Sequence, residues 1–219
     1  MKSSFFKPYV GSKYSSEGFH GKKVLVLGAS FYCVRKECPF FLECTDEDKK
    51  DSSEFDAICP EYNKTEHLLL SDCPTYEIEG GNVYARFGNS MSRLFFESRI
   101  SWEDFWEMVA FTNYVQFILP HWQTYKSDVS ERDKQALIEV VDTLNPDIII
   151  VWGCVVNDYV KGLAYDDDVK LSTGGYLCHW NHNGKNIAIV NPYHPISPIY
   201  YSNSSLNWFE KTLRIALSE

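Results

Sequence analysis

Apolar residues gather in four short blocks along this chain, and each block runs out into small or polar residues. The blocks are Val24-Leu-Val-Leu-Gly-Ala-Ser-Phe-Tyr32, Ala110-Phe-Thr-Asn113, Ile148-Ile-Ile-Val-Trp-Gly153 and Ile187-Ala-Ile-Val-Asn-Pro-Tyr-His194. Runs without alternation suit strands covered on both faces. They predict strands over 23–28, 109–114, 147–152 and 186–190. The last closes a hairpin over 175–190, turned at Asn183-Gly184, a pair suited to the positive φ angles of a tight β-turn.

Between these blocks the apolar spacing is helical. Helices are predicted over 89–98, 101–108, 131–144 and 155–163, with a last one from Ser204 or Ser205 to the end. Ser101 with Asp104 three residues on has the form of a capping box. Ser130 suits an N-cap, and Pro146 follows the end of the third helix. Leu206, Phe209, Leu213 and Leu217 fall on one side of the final helix. Residues 1–22 read as a lead-in packed on the body. Strands alternating with helices predict an α/β fold, a three-layer α/β/α sandwich around a four-stranded, mainly parallel sheet. One domain over 1–219 is expected, with a Cys-rich acidic insertion at about 33–86.

Charge narrows the partners. The net charge is −9, and residues 43–61 alone carry −6, so the body is nearly neutral. Strong duplex binding needs many Lys or Arg contacts to phosphate, and no basic run supplies them. No stretch is long and apolar enough to span a bilayer, and the first residues lack the core of a signal peptide. A cytoplasmic protein without a membrane partner is expected.

Seven cysteines in such a compartment read as reduced thiols. Five of them (Cys33, Cys38, Cys44, Cys59 and Cys73) share one segment. A structural zinc on Cys33, Cys38, Cys44 and Cys59 is the competing reading. Only the gap between Cys33 and Cys38, with four residues between them, has the spacing of a tight zinc pair. Cys178, His179 and His182 form a second group, but alternation along a strand turns Cys178 and His179 to opposite faces. No metal or cofactor is expected.

The candidate chemistry lies where the blocks end, since ligands of open parallel sheets bind at the C-terminal ends of the strands. Gly28-Ala-Ser-Phe-Tyr-Cys33, Phe111-Thr-Asn113, Val151-Trp-Gly153 and His194-Pro-Ile-Ser-Pro-Ile199 follow one another in the order of four motifs of the uracil-DNA glycosylase superfamily. The chain therefore resembles a remote member of that superfamily, over the sheet and its loops but not over the Cys-rich segment. Some members hold an iron–sulfur cluster through a cysteine pair ahead of the first motif; here no cysteine precedes Cys33.

The resemblance implies roles residue by residue. Asn113 would read N3–H and O4 of a pyrimidine with its carboxamide. His194 would donate to O2 and steady the departing base anion. Gly28 and Tyr32 would line the base, Tyr32 as a wall against a 5-methyl group. Phe87 would stack on the base, and Ser197 would touch a flanking phosphate. Ser30 stands where the most active members carry the Asp that orients water, and a hydroxyl is no base near neutral pH. The implied ligand is a pyrimidine base, a nucleotide, or single-stranded or flipped DNA. The implied reaction is N-glycosidic hydrolysis; the alternative is a nucleotide-binding or interaction protein that kept the fold and lost the chemistry.

Overall fold

The computed structural model describes residues 8–32, 83–121, 123–163, 166–170 and 176–219, with Lys36 and Leu42. The expected zinc ligands Cys33, Cys38, Cys44 and Cys59 lie outside the described residues. The strands are β1 (Tyr9–Val10), β2 (Val24–Gly28), β3 (Phe31–Tyr32), β4 (Ala110–Asn113), β5 (Ile118–Leu119), β6 (Ile148–Val151), β7 (Asp166–Lys170), β8 (Tyr176–His182) and β9 (Lys185–Val190). The helices are α1 (Val83–Phe95), α2 (Trp102–Glu107), α3 (Glu131–Leu144), α4 (Cys154–Lys161) and α5 (Asn203–Ser218).

Seven strands make one sheet in the order β1-β4-β2-β6-β9-β8-β7, three more than the four expected. The four blocks of the sequence are its contiguous centre, with β4, β2, β6 and β9 all parallel. The additions are antiparallel edges: β1 on β4, and β8 with β7 beyond β9. Two-residue β1 has no periodicity to read, and Asp166-Asp-Asp-Val-Lys170 is acid-rich for a strand. Both are specified by the partner strand they dock on. Asn183 (φ 52°) and Gly184 (φ 81°) take the left-handed conformations expected of the hairpin turn.

Strand alternation sorts the core onto two faces. Val24, Val26, Phe111, Ile148, Ile150, Trp152 and Val190 pack with apolar residues of α1, α2 and α5. Leu25, Leu27, Ala110, Ile149, Val151, Ile187 and Ile189 pack with those of α3 and α4. Each such side chain taken fully out of water contributes about 1.5–3 kcal/mol, so register errors that exchange the faces are strongly disfavoured. Phe19 and Tyr14 of the lead-in are buried in these clusters, one on each face.

Capping follows the sequence closely. The Ser101 hydroxyl accepts from the Asp104 N–H at 3.0 Å at the head of α2. At the head of α3, Asp133 accepts from the Ser130 N–H and hydroxyl at 2.8 and 2.9 Å. Helix α1 departs from expectation: it starts at Val83 rather than 89 and ends at Phe95 rather than 98. Its first four residues fall within the stretch 33–86 that the sequence suggests as an insertion.

Candidate functional site

The C-terminal ends of β4, β2 and β6 lie side by side, and on one face they carry Asn113, Gly28 and Trp152. Strand register pairs Gly28 with Asn113 directly. A Cβ on Gly28 would sit 2.3 Å from Asn113 Oδ1 and 2.9 Å from Phe111 Cζ. The carboxamide thus lies across Gly28, leaning from β4 toward β6, in space that only a residue without a side chain leaves open. Asn113 is 4% exposed, and its carboxamide has no hydrogen bond to any described residue.

His194 reaches the same edge from the other side. Its Cβ lies 3.6 Å from the point where a Cβ of Gly153 would stand. Its ring meets Trp152 edge-to-face, with centroids 5.8 Å apart. The imidazole therefore sits over the end of β6, two strands along the sheet from β4, which carries Asn113. Gly28 is on the strand between them.

The proton on His194 is fixed by its surroundings. Nδ1 accepts the Ile196 N–H at 3.2 Å, so Nε2 carries the hydrogen and is the free donor. Burial pushes the imidazole down from its ordinary value to about 4, because the charged form loses its hydration. At neutral pH this is a neutral ring with one N–H to offer. The main chain holds the ring in place: the Ser197 N–H donates to the His194 carbonyl at 2.8 Å.

Ser197 itself is a cap. Its hydroxyl accepts from the Ile199 N–H at 3.3 Å, at the start of a single 3₁₀ turn over Pro198–Tyr201. Ser30 and Tyr32 leave the end of β2 and meet at a residue the sequence did not single out. Thr124 Oγ1 bonds Ser30 Oγ at 2.5 Å and Tyr32 Oη at 2.7 Å. The Tyr32 ring packs against the α3–α4 cluster. The Ser30 hydroxyl, 8% exposed, is thereby already engaged.

Phe87 is corrected by the packing. It is 0% exposed, enclosed by Phe105, Trp106, Trp152, Tyr200 and Phe209, and has no face left for a base. Tyr84, one turn earlier on α1, stands nearer the site, edge-to-face on Phe111 at 5.4 Å and 6.0 Å from Trp152. Because α1 begins six residues sooner than expected, its site-facing ring is Tyr84.

Two further residues hold the edge together. Asn191 donates from Nδ2 to the carbonyls of Val151 at 2.6 Å and Gly153 at 2.7 Å, tying β9 to the end of β6. Gln116 donates to the Asn113 carbonyl at 2.7 Å, while its own N–H bonds Asp133 at 2.8 Å, linking β4 to α3. In sequence both are ordinary loop amides; their roles exist only once the strands are assembled.

Among the described residues no cluster of His, Cys, Asp and Glu has the arrangement of a metal site. No helix among them is long and apolar enough to cross a membrane. No protein-family model matches the chain, and no curated protein matches it.

Proposed function

We propose that the protein binds a pyrimidine base, free, within a nucleotide or flipped from DNA, at this strand edge. The reading takes the fold as a three-layer α/β/α sandwich of uracil-DNA glycosylase type, with the four central parallel strands as its platform. One observation supports it: the strand order brings the unbonded carboxamide of Asn113 and the neutral imidazole of His194 to the same end of the sheet, on strands either side of Gly28. Asn113 offers the donor and acceptor that N3–H and O4 require. His194 Nε2 offers the donor that O2 requires.

The reaction this arrangement favours is hydrolysis of the N-glycosidic bond. As C1′–N1 breaks, its electron pair passes to the base and spreads onto O2, where the N–H of His194 strengthens its hydrogen bond. Water adds to C1′, and its proton passes to solvent and then to the base. No carboxylate orients that water. Ser30, with its hydroxyl bonded to Thr124, supplies neither a base nor a negative charge, so hydrolysis is slow. That same bond favours the second reading, a nucleotide-binding protein without turnover.

The test is release of uracil from a labelled single-stranded oligonucleotide, run beside equilibrium binding of free uracil. Release that falls about 100-fold or more in His194→Ala supports the hydrolase, since losing one such donor costs that much. Binding without release at high enzyme concentration leaves the second reading. Neither binding nor release refutes both.

A further inference from the structure

The two polar groups of the strand edge are held in different ways. His194 has a fixed sense: its Nδ1 takes the Ile196 N–H at 3.2 Å, which leaves Nε2 as a donor only. Asn113 is fixed along its main chain instead. Its carbonyl accepts from Gln116 Nε2 at 2.7 Å, and the next N–H, that of Tyr114, donates to the Gly28 carbonyl at 2.9 Å. The side chain has no such tie. The hydroxyl of Thr112 and the amide of Gln116 both address the Asn113 carbonyl, and neither Oδ1 nor Nδ2 is hydrogen-bonded to a described residue. A Cβ at Gly28 would meet Asn113 Oδ1 at 2.3 Å and the Phe111 ring at 2.9 Å. The head of the carboxamide therefore lies by a methylene and a phenyl ring, and neither offers a hydrogen bond that would favour oxygen over nitrogen.

A half-turn of the carboxamide exchanges its acceptor and its donors at nearly constant shape. Uracil presents N3–H as a donor and O4 as an acceptor. Cytosine presents N3 as an acceptor and its 4-amino group as a donor. O2 is an acceptor in both. One orientation of Asn113 matches uracil and the other matches cytosine, while Nε2 of His194 serves O2 in either case. A pocket separates two such bases only by penalising the wrong one, which here means a bond that locks the carboxamide in one orientation. No described residue supplies that bond.

We propose that this strand edge accepts cytosine as well as uracil, with the Asn113 carboxamide turning to match whichever base is present. The inference rests on the base-binding function proposed above and deepens it. The locked group reads the atom that the two bases share, and the unlocked group reads the edge on which they differ.

The experiment is calorimetric titration of free uracil and of free cytosine into the full chain near neutral pH, where both bases are uncharged. The two dissociation constants should agree within about tenfold. Asn113→Ala should weaken both by a similar factor, about 30- to 150-fold, since each base loses two hydrogen bonds. A second measurement needs no variant. Nuclear magnetic resonance of nitrogen-labelled protein with nitrogen-labelled cytosine should show a coupling across the hydrogen bond from Asn113 Nδ2 to N3. The uracil complex should lack it, because N3–H there faces Oδ1. Cytosine that binds more weakly than uracil by more than about tenfold leaves the base-binding function standing and overturns this inference. Cytosine that binds without the coupling, or undiminished in Asn113→Ala, overturns it as well, since the base would then sit elsewhere. Binding of neither base refutes both.

Discussion

Gly28→Ala tests whether the glycine at the end of β2 is what seats Asn113. The added methyl group would stand 2.3 Å from Asn113 Oδ1 and 2.9 Å from Phe111 Cζ, so one of them has to move by about 1 Å to restore ordinary contact. The backbone at Gly28 is regular strand, so alanine introduces no left-handed strain there. Displacing Phe111 disturbs the aromatic cluster and costs about 1–3 kcal/mol, the usual range for overpacking. Swinging the carboxamide aside costs little stability but removes two hydrogen bonds to the ligand, about 1–1.5 kcal/mol each. Uracil affinity should then fall roughly 30- to 150-fold. Calorimetric titration of uracil into wild type, Gly28→Ala, Asn113→Ala and the double variant separates the causes. If Gly28 acts through Asn113, the double variant binds no worse than Asn113→Ala, giving a large interaction energy. Additive losses, or an undiminished affinity in Gly28→Ala, would refute the reasoning.

Two more outcomes follow from the same contacts. Because the folded His194 sits at about 4 and the unfolded ring near 6.5, the unfolded chain binds the extra proton between those values. His194 therefore contributes its full stabilising effect above pH 6.5 and loses it as pH falls to 4, by at most about 3 kcal/mol. Urea unfolding across pH 4–7 should lose that slope in His194→Gln, and an unchanged slope would contradict the neutral ring. Asn191→Ala should lower stability by about 1–3 kcal/mol, since it leaves two partly buried carbonyls at the end of β6 unpaired. Thermal unfolding checks this, and it should also weaken uracil binding by loosening His194.

The strand ends were legible because their chemistry is local. An apolar run that stops at Gly28 or Asn113 announces both a buried strand and the polar group it delivers. Their mutual placement is not in the sequence, but parallel order follows from helices intervening between strands, and that order puts Asn113, Gly28 and Gly153 along one edge. What escaped is what depends on assembly. Thr124, Gln116 and Asn191 act only through contacts across the fold, and each resembles a loop residue when read alone. Tyr84 is not legible as the site-facing ring because the start of α1 carries no capping signal after the acidic stretch, so the helix reads as beginning later than Val83. Edge strands β1 and β7 were missed because short or acidic segments take their conformation from the neighbour they pair with.

The central claim is that Asn113 and His194 grip one planar base between them. Nuclear magnetic resonance of isotope-labelled protein, with uracil titrated in, watches the Asn113 carboxamide and the His194 ring nitrogens at once. The account predicts that both sets of signals move with a single dissociation constant and that Nε2 keeps its hydrogen. Signals of one residue moving without the other, or neither moving at saturating uracil, would contradict it.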